Sequence, residues 1–149
     1  MGSYISSFYR LGASFLSKEY KDYGIGSGQY QFLFSLYLED GVSHDKLTEK
    51  MSVDKATTTR AIMKLEEEGY VKRVLDENDK RKYKIFLTDK AVEKKEEILN
   101  IGSKWEQQLI GCLEPEEFKS LEEIFKKISK NQDKYKQEKH CKNKNVDID

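Results

Sequence analysis

The chain has 149 residues, of which 37% are hydrophobic, 36% charged and 11% aromatic, and its 27 basic side chains are balanced by 27 acidic ones. That length can bury a core without staples, and the aromatic content excludes a wholly disordered chain. Zero net charge confines any nucleic-acid role to local charge, the two cysteines have no ligand spacing, and no apolar run spans a bilayer or fits a signal peptide, so a soluble cytoplasmic protein is expected.

Ile5, Phe8, Gly12, Phe15 and Leu16 recur at three- and four-residue steps and predict a first helix, interrupted at Gly24 and Gly26. Ser27 is a candidate cap for a second helix with Tyr30, Phe34 and Tyr37 on one side, ended by Gly41. Ser43 caps a short third helix with Leu47 and Met51 inward. A turn at Ser52 and Val53 leads to Asp54, the cap of a fourth helix that runs to Glu68 and is closed by Gly69. Its inward set is Thr58, Ala61, Ile62 and Leu65.

The period then changes. Residues 71–75 and 82–87 are short and rich in β-formers, and the polar stretch from Asp76 to Arg81 between them predicts a hairpin. Thr88 caps a long helix with a stripe of Ile98, Ile101, Trp105, Leu109 and Cys112. Pro115, followed by Glu116 and Glu117, starts a last helix. Phe118, Leu121, Ile124, Phe125 and Ile128 form its apolar face, and the polar run from Asn131 onward predicts a disordered tail.

The fold class is therefore mainly α with a small β-hairpin wing. Helix, turn, helix and hairpin in succession describe a winged helix-turn-helix. Its second helix has the width of a B-DNA major groove, and a basic hairpin tip suits the potential of a narrow minor groove. The outward face of that helix carries Lys55, Thr57, Thr59, Arg60 and Lys64, and Arg60 has the reach to pair two ways with a guanine. The wing from Lys72 to Lys84 holds six basic residues, Lys80, Arg81 and Lys82 among them, against three acidic ones, in a chain whose total is zero. Double-stranded DNA is the expected partner, and a protein-interaction module built on the same fold is the alternative. Nothing resembles a phosphate-binding Gly-rich loop or a nucleophile elbow, so no enzyme is expected. His44 and His140 are too scattered for a metal site, and no cofactor is expected. Cys112, on an apolar stripe, is expected to be buried and structural, and Trp105 to sit in a dimer core.

The segments 54–60 (DKATTTR), 65–73 (LEEEGYVKR) and 76–81 (DENDKR), followed by Leu87-Thr88, resemble the multiple-antibiotic-resistance regulator (MarR) family over about residues 5–130. The resemblance implies a homodimeric, ligand-responsive repressor. Residues 1–25 would be an N-terminal dimerisation helix, 26–90 the DNA-binding domain, 91–130 C-terminal dimerisation helices and 131–149 the tail. Arg60 would be the main major-groove reader, with Thr57 and Thr59 beside it. Arg81 would be the wing-tip arginine, and Arg73 with Asp79 an ion pair bracing the wing. A small aromatic or anionic effector would bind between dimer helices and DNA-binding lobe, near Phe8, Tyr9, Tyr30, Phe34 and Tyr37. The sequence departs from the family pattern at Thr58 and Tyr70, usually aliphatic, and at Gly26-Ser27-Gly28.

Overall fold

The computed structural model describes residues 1–77, 79 and 82–144, with residues 133–144 as backbone alone. Among the described residues seven α-helices and three strands follow in order, with one 3-10 turn at Lys21–Tyr23: α1 (Gly2–Glu19), α2 (Tyr30–Leu38), β1 (Val42–Ser43), α3 (His44–Met51), α4 (Lys55–Glu67), β2 (Val71–Leu75), β3 (Tyr83–Leu87), α5 (Asp89–Glu93), α6 (Lys95–Ile110) and α7 (Pro115–Lys144). They form two compact units, Met1–Gln107 and Gln108–Asp149. Among the described residues no helix is long and apolar enough to cross a membrane.

In the first unit, α3 and α4 begin where cap chemistry dictates. The Ser43 hydroxyl accepts from the Lys46 N–H, and the Asp54 carboxylate from the Thr57 N–H, which fills donors that a helix start leaves empty. Thr88 does the same for α5 through the Ala91 N–H. Ser52 lies in the left-handed region at φ 54°, which closes the turn between α3 and α4.

The core lies where α2, α3 and α4 meet the sheet. Leu33, Leu36, Leu47, Ile62, Leu65 and Ile85 are all buried there. Three tyrosines tie distant segments to this core through their hydroxyls: Tyr20 donates to the Ile98 carbonyl at 3.0 Å, Tyr37 to Ala91 at 2.8 Å and Tyr70 to Tyr23 at 2.9 Å. Burial pushes the Tyr20 hydroxyl up to a pKa of about 12 and raises that of Tyr37 as well.

The sheet is antiparallel in the order β1-β3-β2. The hairpin pairs Arg73 with Ile85 and Leu75 with Tyr83, and β1 adds Val42 against Ile85. Two residues carry no period, so β1 is invisible in the sequence.

Several expectations are corrected. The α2 N-cap is Gln29, not Ser27, because the Gln29 and Tyr30 N–H groups turn back onto the Gly26 carbonyl. The buried side of α2 is Phe32, Leu33, Ser35 and Leu36, with Phe34 exposed and Tyr30 and Tyr37 half-buried. This helix is apolar nearly all round, so spacing alone fits more than one inward face. The long helix after Thr88 is interrupted at Lys94, giving α5 and α6.

Trp105, expected in a dimer core, is half-buried within its own unit. A Cβ placed on Gly12 would lie 2.9 Å from its ring, and the Phe15 ring centroid is 5.7 Å away. In the second unit, Cys112 is exposed, since α6 ends at Ile110 and the stripe ends with it. There α7 stays helical past Asn131 to Lys144, where disorder was expected, and residues 145–149 of that tail lie outside the described residues. Phe118, Ile124, Phe125 and Ile128 are exposed in the single chain, as are Tyr4, Ile5, Phe8 and Leu11 of α1 in the first unit.

Candidate nucleic-acid interface

Helix α4 is seated by one face and free on the other. Thr58, Ala61, Ile62 and Leu65 are buried, which turns Lys55, Thr59, Arg60 and Lys64 to solvent and leaves Thr57 half-exposed. Thr58 stands where an aliphatic residue is usual, yet its hydroxyl is satisfied. It accepts from Thr48 Oγ1 at 2.9 Å and donates to the Asp54 carbonyl at 3.3 Å, joining α3 to α4.

A short polar chain aims Arg60. The guanidinium donates to Thr57 Oγ1 at 3.1 Å, and that hydroxyl donates to the Asp54 carboxylate at 2.8 Å. The Asp54 carboxyl is held below its ordinary value, first by the Thr57 N–H and then by the Thr57 hydroxyl. Lys55 pairs with Asp45 at 2.8 Å. Lys64 is bound to Glu68 at 3.0 Å and Glu67 at 3.6 Å, which raise its pKa and neutralise its charge at the far end of the helix.

The wing departs from the implied brace. Arg73 reaches back to Glu66 of α4 at 2.6 Å, not to Asp79, and the hydrogen bond it donates to the Glu66 carboxylate raises its pKa. Asp79 pairs with Lys82 at 3.7 Å, while Lys84 pairs with Asp76 at 3.3 Å. The register accounts for the change: Arg73 lies in the body of β2 opposite Ile85, within reach of the end of α4, whereas Asp79 belongs to the turn. Lys80 and Arg81 lie outside the described residues.

One residue here escaped the sequence reading. His44 opens α3, and its Nε2 lies 3.1 Å from Thr59 Oγ1 of α4. Burial lowers its pKa, as do the nearby cations Lys55 and Arg73. Lys55, Arg73, Lys82 and Tyr83 share with it a cavity of about 310 Å³ on this face. The Ser43 cap, which sets His44 in the first turn, was the available signal.

Of the aromatic residues named as pocket candidates, Phe8, Tyr9 and Tyr30 line a cavity of about 260 Å³, and Tyr30 with Phe34 lines an adjoining one of about 480 Å³. Tyr37 lines neither, because its hydroxyl is turned to the Ala91 carbonyl. Trp105 borders both, and the sequence had not suggested it for this role. Among the described residues no group of three or more His, Cys, Asp or Glu converges as a metal site.

A model of the MarR family matches residues 25–83, from the approach to α2 through the wing. The HTH-type transcriptional regulator BilQ of Clostridioides difficile is 34% identical over 101 residues, 68% of either chain. The chain belongs to the MarR family. It is a DNA-binding transcription regulator of the winged helix-turn-helix type. A solved MarR regulator from Methanosarcina mazei superposes with a TM-score of 0.84 at 38% identity, covering 90% of this chain and 96% of that one. A mutant MarR from E. coli, solved in complex with operator DNA, gives 0.76 at 26% identity, covering 85% and 91%.

Proposed function

We propose that this MarR-family chain is a ligand-responsive homodimeric repressor that reads a two-fold operator with α4. The observation that carries this reading is the outer face of α4, where Lys55, Thr59 and an Arg60 aimed through Thr57 and Asp54 are exposed to solvent while the opposite face is locked in the core. Arg60 pairs with a guanine edge, and Thr57, Thr59 and Lys55 contact neighbouring bases or phosphates. Lys82, with Lys80 and Arg81 of the same turn in the sequence, contacts the backbone and the minor groove. Lys64, held by two carboxylates, contributes least.

The exposed apolar side chains of α1 and of α7 are more than a monomer leaves in water, and a second copy covers them. Two α4 helices about 34 Å apart then enter successive major grooves. An effector in the aromatic cavities that favours another spacing shifts the population away from the DNA-competent one.

The test is fluorescence anisotropy with the duplex upstream of the gene and a shuffled duplex, at two salt concentrations. The native duplex should bind preferentially and lose affinity as salt rises. Arg60→Ala should weaken specific binding by about 1–3 kcal/mol, roughly fivefold to 150-fold, with the dimer intact. Unchanged binding of the variant removes Arg60 as the reader, and absence of binding at low salt assigns the fold to protein interaction instead.

A further inference from the structure

The two aromatic cavities share Leu16, Tyr30, Gln31 and Trp105, and neither is lined by a lysine, arginine or histidine. The larger, of about 480 Å³, is walled by Tyr20, Tyr30, Phe34 and Trp105 and has Glu106 of α6 at its edge. Among the described residues Glu106 has no ion-pair partner. The Tyr20 hydroxyl is spent on the Ile98 carbonyl, so this residue offers the cavity its ring alone.

That chemistry discriminates by charge. An anion entering here loses its hydration and meets a carboxylate, with no cation to repay it. A cation meets ring faces, which attract positive charge, and a carboxylate besides. The basic cavity of this fold is the other one, beside Arg73 and Lys82 on the DNA face.

We propose that the Tyr30–Trp105 cavity takes a compact organic cation, an aromatic or alkyl ammonium, as its effector. This rests on the reading that the aromatic cavities are the effector site, and it puts a cation in place of the aromatic or anionic effector that the family resemblance implied. Its volume lies within the range of sites for small organic ligands. Bound there, the ligand touches α1, α2 and α6 together, and so couples the first helix to the frame that carries α3 and α4.

The chain has a single tryptophan, Trp105, and it forms the cavity wall, so its fluorescence reports occupancy at this place. Three probes of similar size separate the terms: benzyltrimethylammonium, its uncharged carbon isostere neopentylbenzene, and salicylate. The full-length protein should bind the cation about tenfold more tightly than the isostere, with salicylate weakest by this signal. Glu106→Gln, a change at an exposed helix position, should narrow the cation's advantage to about twofold and leave neopentylbenzene affinity unchanged. Equal or tighter binding of neopentylbenzene or salicylate at Trp105, or a cation advantage untouched by Glu106→Gln, overturns the charge assignment while the pocket stands. No response of Trp105 to any of the three overturns the pocket reading itself.

Discussion

Gly41 and Gly69 share one backbone state and differ in what surrounds it, so a matched pair of alanine variants separates strain from crowding. Both lie in the left-handed region, at φ 70° and 76°. A side chain there costs about 1–2 kcal/mol, offset in part by roughly 0.4–1 kcal/mol from the stiffer unfolded chain. At Gly69, between α4 and the wing, a Cβ meets only the Lys90 Cδ at 3.8 Å, an ordinary contact. Gly69→Ala should therefore destabilise by about 1 kcal/mol. At Gly41, before β1, a Cβ would fall 2.7 Å from the Phe86 ring, which must move. Overpacking adds about 1–3 kcal/mol, for a total of about 2–4 kcal/mol. Urea denaturation followed by far-ultraviolet circular dichroism, at one protein concentration because dimerisation adds to stability, measures both. Equal losses in the two variants would refute the argument, since only the ring contact distinguishes them.

Two further outcomes follow from the interface. A double-mutant cycle between Arg73 and Glu66 should show a favourable coupling below about 1 kcal/mol, and the cycle between Arg73 and Asp79 should show none beyond error; the reverse result would restore the brace that the family resemblance implied. Burial lowers the His44 pKa below its ordinary 6.5, so the unfolded chain takes up a proton first as pH falls. The His44 contribution to stability is thus complete above pH 6.5 and declines as pH drops from there through the lower folded value. His44→Gln should flatten that part of a pH–stability profile, and an unaltered slope would show that His44 does not titrate in the fold.

What the sequence disclosed and what it hid divide along the range of the forces involved. Ser43, Asp54 and Thr88 were legible as caps because a cap bonds within three residues of itself. The inward set of α4 was legible because polar residues fix its outer face. The pairing of β1 with β3 was not, since it depends on Val42 meeting Ile85 across 43 positions of chain. Likewise α2 has no polar stripe, so only the packing of Phe32, Leu33 and Leu36 decides its orientation. In the candidate sites, Arg60 and its threonines could be named from local order. The Arg73–Glu66 pair, the His44–Thr59 contact and the place of Trp105 and Glu106 at the cavity are tertiary products. Phe8, Tyr9, Tyr30 and Phe34 fall beside the cavities, whereas Tyr37 is held away by a hydrogen bond to a residue 54 positions on.

The same division explains how a chain with no net charge serves as a DNA-binding regulator. Lys55, Lys64, Arg73, Lys82 and Lys84 each have a carboxylate partner, from Asp45, Glu68, Glu66, Asp79 and Asp76 respectively. Their fields cancel within a Debye length of about 8–10 Å, so long-range attraction to DNA of any sequence is weak. At contact the balance changes. An exposed ion pair is worth at most about 1 kcal/mol, and a phosphate can take over the lysine while the carboxylate returns to water. Among the described residues Arg60 differs from these cations, because it is held by the Thr57 hydroxyl and not by an acid, and no ion pair must break before it pairs with a base. On the reading proposed above, affinity is weighted toward Arg60 as the base reader, while Lys55, Lys64, Arg73, Lys82 and Lys84 are discounted by their own partners. Low attraction to random sequence and undiminished base reading together raise the ratio of specific to non-specific binding, on which a regulator depends more than on affinity alone.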